Sequence, residues 1–497
     1  MKKTYESYKE HLLKIAHLNS ALALLSWDQE IYMPPKGAEV RARQFSTLSA
    51  MVHELSVDPE FEKLVDHLIH KSSFGFKEMR NLQETQESIL QNKKLPTTFV
   101  KKGAMARSEA FQTWEQARKE EDFKVFAPAL TKIVALEREK ADLLGFKGHP
   151  YDALLNLYEK DLTVVKLEKV FTQIKNDIVP LVKAISKKEQ VDDSFLYQVY
   201  DKEDQFEFSL GLLREMKYDF NSGRQDISTH PFTINFNSND VRVTTRVNKN
   251  DIAEVIWSTI HEGGHGLYEQ GLPSNNYGLP SGEYVSLGIH ESQSRVWENN
   301  IGRAKHWWNY LYPKLQSVFP NQLGEVALDT FYRAVNKVQP SLIRTSADEL
   351  TYHIHVLIRY EIEKSLMEGE VEIVDLEELW NSKYQEYLGV TPSKPSEGVL
   401  QDIHWSHGSL GYFPTYSLGS LYAAQFYAQA EKDILGLPLQ LESGNVDVFL
   451  KLMRKNIHQH GKLYTAEQLC EKFTGEPLNI AHFVKYAKEK YRGIYGV

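Results

Sequence analysis

The stretch DIAEVIWSTIHEGGHGLY, residues 251–268, decides how the rest of the chain is read. Ile252, Val255, Ile256, Ile260 and Leu267 recur at three- and four-residue steps, the spacing of one helical face. His261 and His265 lie one turn apart, so both imidazoles can reach a single ion. Glu262 stands about 100° round the helix from His261, where it can hold water beside the ion rather than the ion itself. The pattern H-E-x-x-H assigns the histidines as metal ligands and the glutamate as general base. The competing reading, a helix with two solvated or core histidines, leaves Gly263-Gly264 unexplained. Each glycine costs a helix up to about 1 kcal/mol, and close approach by another backbone or a substrate is the reason to accept it.

A catalytic metal site needs a third protein ligand and an open position. Glu269 lies a further turn along the helix and points past the ion. Residues 284–303, YVSLGIHESQSRVWENNIGR, form a second helical stretch with Glu291 and Glu298 on one face. A loop with Pro273, Pro280 and Gly282 lets this stretch return antiparallel to the first. Spacing leaves Glu291 and Glu298 both open. His290 is a further candidate, about 100° from Glu291, but it reads better as a packing or ligand-supporting histidine.

Outward from this pair, helical spacing dominates. Amphipathic stretches fall at 5–25, 37–55, 76–93, 97–121, 125–143, 165–188, 193–216, 284–318, 348–367, 416–434 and 478–492, with Pro34-Pro35 ending the first. One segment alternates instead: Phe232–Phe236 and Val241–Val247 flank the turn-rich Asn237–Asp240, a β-hairpin pattern. A lone hairpin is marginal in water, so it must pack on helices. Without internal repeats or low-complexity linkers, residues 1–497 read as a single mainly α domain, in two lobes.

Composition excludes several classes. The net charge of −9, with no block of five basic residues, argues against nucleic-acid partners. No apolar run approaches 18 residues, which argues against a membrane span. The single cysteine, Cys470, rules out an internal disulfide or a thiolate metal cluster and fits a reducing compartment. The N-terminus, MKKTYESYKEHLLK, lacks the apolar core of a secretory signal. The chain therefore reads as soluble and cytoplasmic.

Further motifs follow in order: His230-Pro231-Phe232; Asp240-Val-Arg242-Val-Thr244; His261–His265; His290-Glu291-Ser292-Gln293; Ile343-Arg344-Thr-Ser-Ala347-Asp348; Gly398-Val-Leu-Gln401-Asp402-Ile-His404-Trp405; and, earlier, LLSWDQEIYMPPKGAEVRARQ at 24–44. Together they resemble the carboxypeptidase Taq family of metallocarboxypeptidases, from residue 24 to about residue 420. The resemblance implies a large helical, grooved fold similar to the peptidases that include neurolysin and angiotensin-converting enzymes, with a small β-sheet beside the active-site cleft. It implies that the glutamate of H-E-S-Q, Glu291, is the third ligand. It further implies release of C-terminal amino acids from peptides with broad specificity and discrimination against Pro, one zinc or cobalt ion per subunit, and a homodimer.

An enzyme of this type needs an oxyanion donor. The segment His404–Tyr416 is dense in candidates: Tyr412 first, with Tyr416 and His407 behind it. It also needs a group for the free carboxylate of the substrate, which suits a planar guanidinium. Arg344 is the first candidate, competing with an ion pair to Asp348, and Arg242 is the second. Asp240 reads as a turn residue. Asp402 or another acid is expected to orient a ligating imidazole. The rival readings are an oligopeptidase or carboxydipeptidase on the same site, and a non-catalytic helical peptide-binding scaffold.

Overall fold

Most of the helical stretches read from spacing form in the computed structural model, which describes residues 2–71 and 74–497. Helices run over Lys2–Ile31, Ala38–Ser56, Phe76–Lys93, Thr97–Glu120, Phe123–Leu144, Thr351–Glu368, Pro414–Asp433 and Ala481–Tyr495. Three stretches are broken where one helix was expected. Residues 193–216 form a 3-10 turn at Ser194–Tyr197 and a separate helix at Lys202–Glu215. Residues 165–188 form Val164–Gln173, a π-helical turn at Ile174–Ile178, and Val179–Ile185. Residues 284–318 form a helix at Leu287–Arg295, a π-helical segment at Val296–Gly302, and a separate helix from Lys305. A π-helical turn adds a residue to the turn and re-aims side chains, and such turns gather at functional sites. Apolar spacing does not register it, because the buried stripe continues through it.

The expected hairpin is present and belongs to a larger sheet. Strands β1 (Gly223–Ile227), β2 (Thr233–Asn237) and β3 (Asp240–Thr245) lie in the order β1-β3-β2. β2 pairs antiparallel with β3, and β1 pairs parallel with β3. β1 carries little apolar alternation, so its sequence, GRQDI, shows no strand pattern. Gly223 starts it because a side chain there would strike the Val241 carbonyl and the Tyr218 ring. The sheet packs on the helix Ile252–Gly271, with Val241 and Val243 fully buried.

That helix starts where the Asp251 carboxylate accepts the Ala253 amide and stops at Gly271, before Leu272-Pro273. Its expected apolar face is realised: Ile252, Val255, Ile256, Ile260 and Leu267 are all 0% exposed. Each such burial is worth up to about 1.5–3 kcal/mol. That fixes which way the opposite face, with the two histidines, points.

The chain forms two compact units, each assembled from separate stretches. The first comprises Met1–Lys93, Asp192–Val335 and Tyr422–Leu478, and contains the sheet and the H-E-x-x-H helix. The second comprises Lys94–Val191, Asn336–Leu421 and Asn479–Val497. Its central helix, Thr351–Glu368, is buried nearly all round, with Ile354, Ile358, Ile362 and Leu366 in its core. Two charged residues on that helix, Arg359 and Glu363, are also buried and therefore need partners.

Candidate active site

Nε2 of His261 and Nε2 of His265 both face Oε2 of Glu291, at 3.9 Å and 3.6 Å. The three donor atoms lie within 4.8 Å of one another. A tetrahedral ion with bonds of ~2.0–2.1 Å would hold its ligand atoms ~3.4 Å apart, so small side-chain shifts close the set. The remaining hydrogen bonds fix which atoms face inward. Nδ1 of His261 donates to Oε2 of Glu298 at 2.8 Å. Nδ1 of His265 lies 3.1 Å from the His290 carbonyl and 2.7 Å from Nδ1 of His290. His290 in turn sits 2.7 Å from Oε1 of Glu269 through Nε2. With both Nδ1 protons directed outward, two imidazole lone pairs and a carboxylate oxygen converge on one point. Only a cation satisfies all three, so the residues present fit a divalent ion.

Glu298 is thus the acid behind His261, and Arg295 holds both acids. Its guanidinium lies 2.6 Å from Oε1 of Glu291 and 2.9 Å from Oε2 of Glu298. Burial pushes the Glu298 carboxyl up, but Arg295, His261 and Arg303 together hold it well below the usual carboxylate range. Burial pulls His261 down, and Glu291 and Glu298 outweigh it, so its affinity for positive charge rises. Burial, with His290 and His261 adding to it, keeps His265 well below its usual value, in the neutral form a ligand requires.

The two glycines of H-E-G-G-H have a structural cause. A Cβ on Gly264 would lie 2.7 Å from the Gln293 carbonyl oxygen and from Ser294 Cα. A Cβ on Gly263 would lie 2.7 Å from Leu213 Cδ2. The helix carrying Glu291 therefore meets the H-E-x-x-H helix backbone to backbone. Ser294 Oγ donates to the His261 carbonyl at 2.7 Å, while His265 meets His290. The pairings run in opposite order, so the two helices are antiparallel, as the loop composition suggested.

Glu262 is buried beside this trio, and burial raises its carboxyl above the usual range. Thr233, on β2, donates its hydroxyl to Oε2 at 2.6 Å. A cavity of about 560 Å³ in the same unit is lined by Thr233, Asn235, Glu269, Glu283, Tyr284 and His290, among others. Thr233 thus both steadies the base and lines this cavity.

Arg242 is also in this unit, on β3. It forms a two-pronged ion pair with Asp240, both contacts at 2.9 Å, under the Phe236 ring. Asp240 is thus the partner of Arg242 as well as a turn residue.

The other expected site residues lie in the second unit. Arg344 is 5% exposed and donates to Oδ1 of Asp402 at 2.8 Å and to the Tyr352 hydroxyl at 3.2 Å. Its expected competitor, Asp348, instead accepts the amides of Leu350 and Thr351 at 3.0 Å each. Asp402 does not orient a ligating imidazole in this unit's network. Its second oxygen takes Arg359 at 2.6 Å, so two guanidiniums saturate it, and Glu298 performs the orienting role. Burial pushes Asp402 up, but Arg359 and Arg344 outweigh it and hold it well below the usual range. Tyr412 and Tyr416 come together with His404, with ring centres 5.2 Å apart for the tyrosines and 5.4 Å for His404 and Tyr412. Burial, against the pull of Asp402 and with help from Arg344, lowers His404 to about 4, leaving it neutral. His407 is exposed and stacks on Phe111.

Four participants were not singled out from sequence: Arg295, Thr233, His404 as a neighbour of Tyr412, and Glu298 in its orienting role. Arg295 had a signal, standing four residues after Glu291 and three before Glu298. Thr233, 29 residues from Glu262, had none.

The comparisons agree on one family. The profile described as "Carboxypeptidase Taq (M32) metallopeptidase" matches residues 7–491. Carboxypeptidase 1 of Bacillus subtilis (strain 168) is 39% identical over 495 residues, covering 99% of each chain. Thermostable carboxypeptidase 1 of Thermus thermophilus is 39% identical over 511 residues, again covering 99% of each. The crystal structure of the M32 carboxypeptidase from Deinococcus radiodurans R1 superposes with a TM-score of 0.98 at 35% identity, covering 100% of both chains.

Proposed function

The chain belongs to the carboxypeptidase Taq (M32) family of metallopeptidases, and from that premise we propose that this metallocarboxypeptidase releases single C-terminal amino acids from peptides, with broad side-chain tolerance and discrimination against Pro. The observation that carries the reading is the convergence of His261, His265 and Glu291 beside the buried carboxyl of Glu262. The first three would hold a divalent ion, zinc in preference to cobalt. When bound, such an ion polarises a scissile carbonyl and lowers the pKa of a water molecule.

The protein's own groups do the rest. Thr233 occupies Oε2 of Glu262 with a hydrogen bond, which leaves Oε1 as the basic face. Glu262 takes a proton from water there and passes it to the departing amine. Tyr412 donates a hydrogen bond to the developing oxyanion, with Tyr416 and His407 as alternatives. Arg344 attracts the substrate carboxylate. It shares one carboxylate, Asp402, with Arg359, so the cluster keeps a net positive charge. Arg242 and Asp240 neutralise each other, which puts Arg242 second.

We propose further that both units act as one catalytic domain, in keeping with a family profile that spans both. The partners are peptides with a free C-terminus and a second copy of the chain, and the location is cytoplasmic. Among the described residues no helix is long and apolar enough to cross a membrane.

The deciding experiment compares N-blocked dipeptides with free and amidated C-termini, with and without chelator and with zinc or cobalt restored. Release of the terminal residue from the free acid alone, lost with chelator and regained with metal, is the expected result. Equal cleavage of the amide would favour an oligopeptidase. No cleavage, with substoichiometric metal, would favour a peptide-binding scaffold.

A further inference from the structure

We propose that Glu363 is a positioning residue whose buried carboxyl group clamps both ends of the loop Trp405–Gly411 and so sets the placement of His404 and Tyr412. The proposal rests on the reading above in which Tyr412 acts on substrate.

Glu363 lies within the helix Thr351–Glu368 and is 0% exposed. Oε1 accepts the Trp405 indole N–H at 2.8 Å. Oε2 accepts the Gly411 amide at 2.8 Å and also the Tyr151 phenol. Trp405 and Gly411 directly flank the two residues at issue: His404 precedes the first and Tyr412 follows the second. One rigid side chain therefore holds both loop ends, and the rings of His404 and Tyr412 stand 5.4 Å apart beyond it.

The loop has little freedom to relax. Gly411 has φ +94°, and a Cβ there would lie 3.1 Å from the Leu154 backbone carbon. Tyr412 is further braced edge-on by Tyr158 at 5.3 Å. A fully buried carboxyl group is an expensive way to fill a core, because its desolvation is offset only by well-made hydrogen bonds. An apolar side chain of the same size would fill the space as well. It could not accept from two separated points on one loop, which is the property the site uses.

Glu363→Gln tests this directly. An amide has one acceptor oxygen, so whichever way it turns, one loop end meets an N–H instead of an oxygen. Expected is a fall in kcat of up to about 100-fold, with KM and bound metal unchanged. In a Tyr412→Phe background the same change should cost nothing further, because both act through one group. Tyr151→Phe removes the donor that is not on the loop and should keep the wild-type kcat. If Glu363→Gln does not fold, Trp405→Phe removes one tether while keeping a ring, and should lower kcat in the same way. Wild-type kcat in Glu363→Gln (or its substitute) beside an impaired Tyr412→Phe overturns this proposal alone. Wild-type kcat in Tyr412→Phe overturns the reading of Tyr412 and this proposal with it.

Discussion

Nδ1 of His261 donates to Oε2 of Glu298 at 2.8 Å, and this bond turns the Nε2 lone pair of His261 toward Glu291. Seven residues separate the two glutamates, and they do different jobs. Glu291 presents an oxygen to the imidazoles, while Glu298 stands behind one of them. Arg295, between them, holds both in place through one guanidinium.

Glu298→Gln should therefore lower metal affinity by about 10–100-fold, the usual cost of losing an acid behind a ligating histidine. Competition against a chromophoric chelator measures it. Affinity equal to wild type would show that His261 needs no such support.

Glu262→Gln should keep the ion and lose the reaction. A loss of about 10²–10⁴ in kcat is expected for removal of a general base. Metal content by elemental analysis should match wild type, because Glu262 is not among the three converging ligands. Persistent activity would refute the assigned base.

Gly264→Ala should damage the site through the backbone. The new methyl would meet the Gln293 carbonyl oxygen and Ser294 Cα at 2.7 Å, and neither can swing aside as a side-chain tip would. Overpacking of this kind costs typically 1–3 kcal/mol. Thermal unfolding should show a lower Tm, and metal titration a weaker site, since Glu291 moves with that helix. Gly211→Ala is the matched control, also inside a helix (Lys202–Glu215) but with nothing within 4 Å of its Cβ, and should leave metal affinity unchanged.

Stability should depend on pH through Glu363. Burial raises its carboxyl to about 7 from 4.5, against the opposing pull of Gly411, Tyr151, Trp405 and Arg359. Between these two values the folded protein holds a proton that the unfolded chain releases. Stability from this group is therefore fully present below about pH 4.5 and falls as pH rises toward 7, by about 3 kcal/mol in all. Urea unfolding at pH 5 and pH 8 measures the slope. In Glu363→Gln that part of the slope should vanish; an unchanged slope would assign it to other groups.

Much of this was legible without coordinates, for identifiable reasons. The apolar positions Ile252, Val255, Ile256, Ile260 and Leu267 repeat with the helical period, and a periodic signal survives in one dimension. The same periodicity put His261 and His265 on one face. It failed at Val296–Gly302, where the chain widens into a π-helical turn without interrupting the buried stripe. It failed again at β1, a strand held by pairing with β3 rather than by its own side chains.

What the sequence by itself determined was local: which stretches are helical, which residues share a turn, and where two glycines let a neighbour come close. Period and propensity act between residues a few positions apart, so they are written along the chain. Tertiary structure alone decided the partners. It set Thr233 against Glu262, and Glu298 rather than Asp402 behind His261. It also gave Asp402 to Arg344 and Arg359. These choices turn on which buried charge finds which counter-charge when separate elements pack. A hydrogen bond a few ångströms long is indifferent to the number of residues between its ends.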